Sequence, residues 1–352
     1  MAASSVSMYV DTGCPAGRSL TGTLGVLAPV LIALAISVFF VTLFLLAFRS
    51  PTPHDLRVGI AGPGPASAQL RQAITARDPG ALDLRDYPDQ GAAQKAVTHR
   101  DVYAALAIER NDWTLLVAGA NGSALVSALQ ERFARAADAA GARLSVRDLV
   151  PRAPGDVSGL AVFYAVFGLV LGGFLFGVNT YQIAPGLRFR SRMISVGLFG
   201  PLCGLAAAIA SHSLDALPGS FLASFGVLTL IAAAVGMATA MLLRVFGLLG
   251  ITLGSMLLLT LGNASSAAVF PPALLPEWLE PFAFILPPGA GVRALAGTSY
   301  FNGGGVVEGL VVLVTWIALS ALIIFALDWR AGRKRGRSPA TDGRLSPERN
   351  VA

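Results

Sequence analysis

Residues 24–48 read LGVLAPVLIALAISVFFVTLFLLAF, 25 consecutive positions without a charged side chain. As an α-helix rising ~1.5 Å per residue this run is about 37 Å long, more than the ~30 Å of a bilayer's hydrocarbon core. It predicts a membrane-spanning helix. A secretory signal has a shorter apolar region followed by a small-x-small cleavage site. This run instead ends Ala47, Phe48, Arg49, so an uncleaved anchor is expected, behind a cytoplasmic segment at residues 1–23. The composition agrees, with 54% hydrophobic and only 13% charged residues and a mean hydropathy of +0.66, where a soluble domain carries about a quarter charged residues. The 24 arginines against two lysines, Lys95 and Lys334, together with 39 glycines, fit a GC-rich bacterial genome and carry no function.

Working outward, further apolar runs occupy residues 160–178, 193–210, 221–243, 245–261 and 306–327, which makes six expected spans. Cytoplasmic loops keep the positive charge. Arg188, Arg190 and Arg192 follow the second span, Arg244 separates the fourth from the fifth, and Arg330, Arg333, Lys334, Arg335, Arg337, Arg344 and Arg349 follow the sixth. The links at 211–220 and 263–305 hold one arginine between them, Arg293. The expectation is therefore a plasma-membrane protein with both termini in the cytoplasm and residues 49–156 outside. The basic tail, 330–352, reads as a topology marker held at the anionic inner leaflet, with no nucleic-acid role. Small residues recur four apart at Gly168 and Gly172, Gly173 and Gly177, and Gly200 and Gly204, a spacing that lets helices approach closely in lipid.

Between residues 49 and 156 the texture changes to mixed charge with alternating strand and helix signals, the mark of a folded aqueous domain. Strands are predicted at 56–60, 82–84, 102–108, 113–117 and 143–148, and helices at 66–77, 90–100 and 124–140. The fold class expected is thus an α-helical polytopic membrane protein with an inserted α/β extracytoplasmic domain. The Gly-Pro-Gly-Pro at 62–65 lies between a strand and a helix, but its prolines remove the N–H groups that would hold a pyrophosphate, so it reads as a tight turn.

Several chemistries lack their residues. A phosphate loop needs Gly-Lys, yet Lys95 follows Gln94 and Lys334 follows Arg333, so the chain is not expected to hydrolyse ATP alone. There is no HExxH and no GxSxG, and the two cysteines, Cys14 and Cys203, build neither a disulfide framework nor a four-thiol zinc site. No enzyme activity and no cofactor are expected. Glu308 and Asp328 stand at opposite ends of the last span, where a charge costs little, and ion-coupled carriage lacks its mid-membrane carboxylates.

The most particular stretch is 261–315, LGNASSAAVFPPALLPEWLEPFAFILPPGAGVRALAGTSYFNGGGVVEGLVVLVT. It resembles the C-terminal part of bacterial ABC type-2 exporter permeases, especially the phage-infection-protein-like branch. The layout is similar too: one span, an α/β outer domain, then five spans. The resemblance implies a permease that moves a lipid, drug or peptide-like substrate outward, pairs with a separate ATP-binding subunit, and works as a homo- or heterodimer among membrane lipids. A surface-display, receptor or scaffold protein is the alternative.

Two sites follow. The segment 282–286 is too short to cross, and Pro287 and Pro288 with Gly289 forbid a continuing helix. It either lies on the outer face or dips in and returns, and with Glu308 it is the candidate outer gate or re-entrant hairpin within the outer segment 263–305. The link after the second span combines Leu187, Arg188, Phe189, Arg190 and Arg192, apolar residues among cations, and is the candidate ATPase-coupling loop.

Overall fold

A computed structural model describes residues 23–48, 53–62, 64–77 and 79–335. Cys14, Arg49, Pro63, and the tail from 336 onward with Arg337, Arg344 and Arg349 lie outside the described residues.

Five helices are long and apolar enough to cross a membrane, which gives the chain the make-up of a multi-pass membrane protein. They are α1 (Thr23–Phe48), α5 (Ala161–Ile183), α6 (Phe189–Ser213), α7 (Phe221–Phe246) and α12 (Val306–Arg335). The remaining expected run, at 245–261, has other bounds in the structure. Val245 and Phe246 belong to α7, which ends at Gly247 with φ +61. The rod that follows, Leu249–Ala264, is shorter than a full span. It is made of α8 (Leu249–Gly254), a π-helical stretch (Ser255–Leu261) and α9 (Gly262–Ala264).

α7 is the axis of the bundle: 72% of its apolar window is buried, against 33% or less in the other four. The glycine spacings explain how its neighbours reach it. A Cβ at Gly173 or Gly177 of α5 would lie 2.9 Å from Val235 or 2.6 Å from Thr239, and one at Gly204 of α6 would lie 2.6 Å from the Thr229 nitrogen. Gly168 and Gly172 face open space. Two of the three expected pairs therefore serve packing, and one does not. By contrast α1 is mostly exposed and touches the bundle through Leu43 and Ala47, which pack on Ala264, Leu275, Leu279 and Ala283.

Between α1 and α5 stands a five-stranded sheet in the order β2-β1-β3-β4-β5. The strands are β1 (Leu56–Ala61), β2 (Leu82–Tyr87), β3 (Ala104–Glu109), β4 (Asp112–Val117) and β5 (Arg143–Asp148). All neighbours are parallel except β3 and β4, which form a hairpin. Period-two alternation sends Leu56, Val58, Ile60, Leu106, Leu115 and Val117 to one face. There α2 (Gly64–Arg77) and α4 (Ser123–Ala140) cover them with Leu70, Ile74, Leu129 and the fully buried Phe133. The other face receives α3 (Gln90–Thr98), capped by Asp89, whose carboxylate accepts from the Ala92 N–H at 2.7 Å and so contributes about 1 kcal/mol.

α3 is too short to close that face alone, and the bundle completes it. Ala296 and the fully buried Phe301 pack with Ala93, Val97, Ala105 and Leu116. On the first face Ala273 and Leu274 join the core. Sheet domain and bundle thus share two hydrophobic cores. At the junction Asp156 accepts from the N–H groups of Leu160 and Ala161 and caps α5.

The segment after α9 holds α10 (Glu280–Ile285) and α11 (Pro287–Ser299). The sequence reading found the break but not the second helix. Pro287 and Pro288 do end α10, yet they occupy the first turn of α11, where a missing N–H costs nothing. α11 runs antiparallel to α12. Its Gly297 meets Gly304 and Val306, Gly309 of α12 meets Ala290 and Ala294, and the Trp316 indole donates to the Ile285 carbonyl at 2.8 Å. Trp316 lies ten residues beyond Val306, so the hairpin reaches ~15 Å along α12 at 1.5 Å per residue. Among the described residues α11 buries all but Arg293 and Thr298, wedged against α7 and α12.

Candidate functional site

The hairpin and the sheet domain border a half-open cavity of about 570 Å³, within the ~300–1,000 Å³ usual for small-molecule sites. Each of its cations arrives by a local rule. Because Leu56 and Val58 face the α2 and α4 side, alternation turns Arg57 to the opposite face, toward the bundle. Arg100 follows the His99 cap of α3 with φ +63, a left-handed position that usually belongs to glycine or asparagine. Helix 90–100 was expected to include it; the helix stops at Thr98 because this backbone turns there. Arg293 is the one charged residue of α11.

The three guanidiniums are held in the same manner. Arg57 lies over the Tyr103 ring at 5.6 Å, Arg100 over Phe301 at 4.9 Å, and Arg293 over Phe284 at 4.3 Å. A ring face at this distance attracts the cation, and among the described residues neither Arg57 nor Arg100 spends a side-chain donor on a hydrogen bond. Arg293 spends one on the Ala283 carbonyl at 3.3 Å. Among the described residues none of the three forms an ion pair, although Asp101 and Glu308 also line the cavity. Burial pulls the Arg100 guanidinium below its usual range; Tyr103 acts the other way, and Arg57 adds to the depression. Such a site can hold an anion.

The walls need glycine. A side chain at Gly304 would fall on the carbonyl oxygen of His99, and one at Gly289 on that of Ala283. Gly303 and Gly305 take φ +89 and +77. Of the residues read from sequence as the outer hairpin, Gly289 and Glu308 line the cavity, while Pro287 and Pro288 are buried and do not line it, Pro288 lying against Gly262.

Neither any protein-family model nor any curated protein matches the chain. The site therefore rests on its own geometry.

At the far end of the bundle lies the link between α5 and α6. Arg188 and Arg190 are exposed and Leu187 is half-buried. Phe189 turns inward, edge-on to Phe325 at 5.3 Å, and Arg192 is buried with one donor 3.5 Å from the Leu187 carbonyl. Beside it Arg244 of α7 grips Asp328 of α12 through two nitrogens, at 2.9 and 2.7 Å. The link is thus split between a packed half and a surface half.

Sequence reading did not single out Arg57, Arg100 or Arg293 as a group. They lie far apart in the chain, and only the docking of sheet on hairpin brings them together. Arg293 alone carried a signal, as a lone cation among small residues at 287–299.

Proposed function

We propose that this chain is the membrane-spanning subunit of an ABC type-2 exporter, moving a lipid, drug or peptide-like substrate outward. The observation that carries the reading is the α10–α11 hairpin folded back beside α12. It touches the π-distorted rod where Pro288 meets Gly262 and lies under the cavity roofed by the sheet domain. Broken helices at membrane depth are tolerated where protein covers them or where they line an aqueous path, and they mark the binding regions of transporters. A protein that only displayed the sheet domain would need α1 as an anchor and nothing of this kind.

In this reading the chain crosses six times. The rod from 249 to 264 connects the far end, where α7 stops, to the segment touching the sheet domain, and so counts as the sixth crossing. The sheet domain stands outside and both termini lie in the cytoplasm of a bacterial cell. Energy comes from a separate ATP-binding subunit, and two permease units pair. Arg188 and Arg190, the exposed cations of the α5–α6 link, are the contacts offered to carboxylates of that subunit.

Affinity purification of the full-length chain from its own membranes tests this. A nucleotide-binding subunit should co-purify, its ATP hydrolysis should change on reconstitution with the chain, and Arg188→Gln with Arg190→Gln should weaken the association at least about tenfold. A chain that purifies without such a subunit, with the sheet domain intact, would favour the display or scaffold reading.

A further inference from the structure

We infer that the cavity between the sheet domain and the α10–α11 hairpin binds the anionic headgroup of an amphiphile through the guanidinium edges of Arg57, Arg100 and Arg293. The inference rests on the membrane placement proposed above and not on transport.

The charge balance comes first. Three permanent cations face two carboxylates, Asp101 and Glu308, and no pairing between them is made. All three are half-buried, and cations gathered at one partly desolvated site attract an anion more strongly than they would in open water. None of the three has a nitrogen sealed away from solvent without a partner, and all three residues line the cavity. Planar guanidinium forks match the oxygens of a phosphate or carboxylate.

Backbone strain points to the same place. Six described residues other than glycine have positive φ, and three of them, Arg100, Ala267 and Asn302, line this cavity. Such conformations are costly and gather at functional sites. At Arg100 glycine would fit the turn without strain, yet only arginine supplies the fork.

The flank decides for an amphiphile over a free anion. Phe284, which carries Arg293 on its ring, is 40% exposed, and its neighbour Ile285 is 54% exposed. On α12, Val307 and Val311 flank Glu308 and are 69% and 59% exposed. An acyl chain laid on this surface would leave its headgroup at the arginines.

Native mass spectrometry of the full-length chain, titrated with phosphatidylglycerol and with phosphatidylcholine of the same acyl chains, measures this. Phosphatidylglycerol should bind at least about tenfold more tightly, and Arg57→Gln with Arg293→Gln should abolish the preference. Arg100→Gly should abolish it too, while holding or raising the thermal midpoint because it relieves the φ +63 backbone, so a folding defect does not explain the loss. Excess inorganic phosphate should leave the lipid bound. Equal binding of the two lipids, or a preference that survives the substitutions, would overturn the site. Displacement by phosphate would overturn the amphiphile in favour of a free anion.

Discussion

Gly177→Leu is expected to remove most of the folded protein from the membrane, while Gly172→Leu, five residues earlier on the same helix, leaves it near the level of the unaltered chain. At Gly177 the first atom of any side chain would stand 2.6 Å from Thr239 Cβ, 2.7 Å from its methyl and 3.1 Å from the Ala240 nitrogen. None of these can retreat, because α7 is buried on nearly every side here. Overpacking a filled interior costs about 1–3 kcal/mol, and a leucine against backbone falls at the upper end. At Gly172 nothing lies within 4 Å, so the added side chain meets lipid. Yield of monodisperse detergent-solubilised protein and its thermal midpoint measure the contrast, with a drop of at least about 5 °C expected at 177. Equal behaviour of the two variants would show that α5 does not pack on α7 through this face.

Gly304→Val should free the sheet domain from the bundle without unfolding either. The new Cβ would fall on the His99 carbonyl oxygen and 2.9 Å from its carbon. This is backbone against backbone, which no rotamer change relieves, so the Phe301 turn must leave the groove it fills beside α3. The sheet keeps its larger core around Phe133 and Leu115. Limited trypsin cleavage after Arg100, now shielded by Phe301, should accelerate about tenfold or more, since each ~1.4 kcal/mol of lost docking is a factor of ten in the open population. Gly303→Ala separates clash from strain: it has φ +89 but nothing within 4 Å, and should accelerate cleavage far less.

Much of the sheet domain was legible because its strands alternate and its helices carry an apolar stripe; Leu125, Leu129, Phe133 and Ala137 of α4 recur every four residues. Where the reading fell short, tertiary pairing had overridden local signal. β2 was expected to stop at Leu84, but parallel pairing with β1 carries it through Arg85 and Asp86 to Tyr87, residues whose polarity hides a strand. Hydropathy alone merged the end of α7 with the following rod, because nothing apolar distinguishes Phe246 from Leu249; the positive φ at Gly247 does. Three glycine pairs looked alike in sequence, and which of them pack depends on the rotation of each helix, which no spacing records. The cationic cavity was the least legible feature, being assembled from a strand, a helix cap and a helix of the hairpin that meet only in three dimensions.

The central claim is a sheet domain standing outside the cell above a hairpin that enters the membrane from that side. Single cysteines test it directly, in a chain whose Cys14 and Cys203 are replaced by serine. Gln130→Cys on α4 reports the sheet domain, Val292→Cys the cavity wall on α11, and Arg188→Cys the link at the far end. A membrane-impermeant thiol reagent applied to intact cells should label 130 quickly and 292 more slowly, through the cavity, and should reach 188 only after the membrane is opened. Labelling of 188 from outside, or of 292 only after the membrane is opened, would contradict the account.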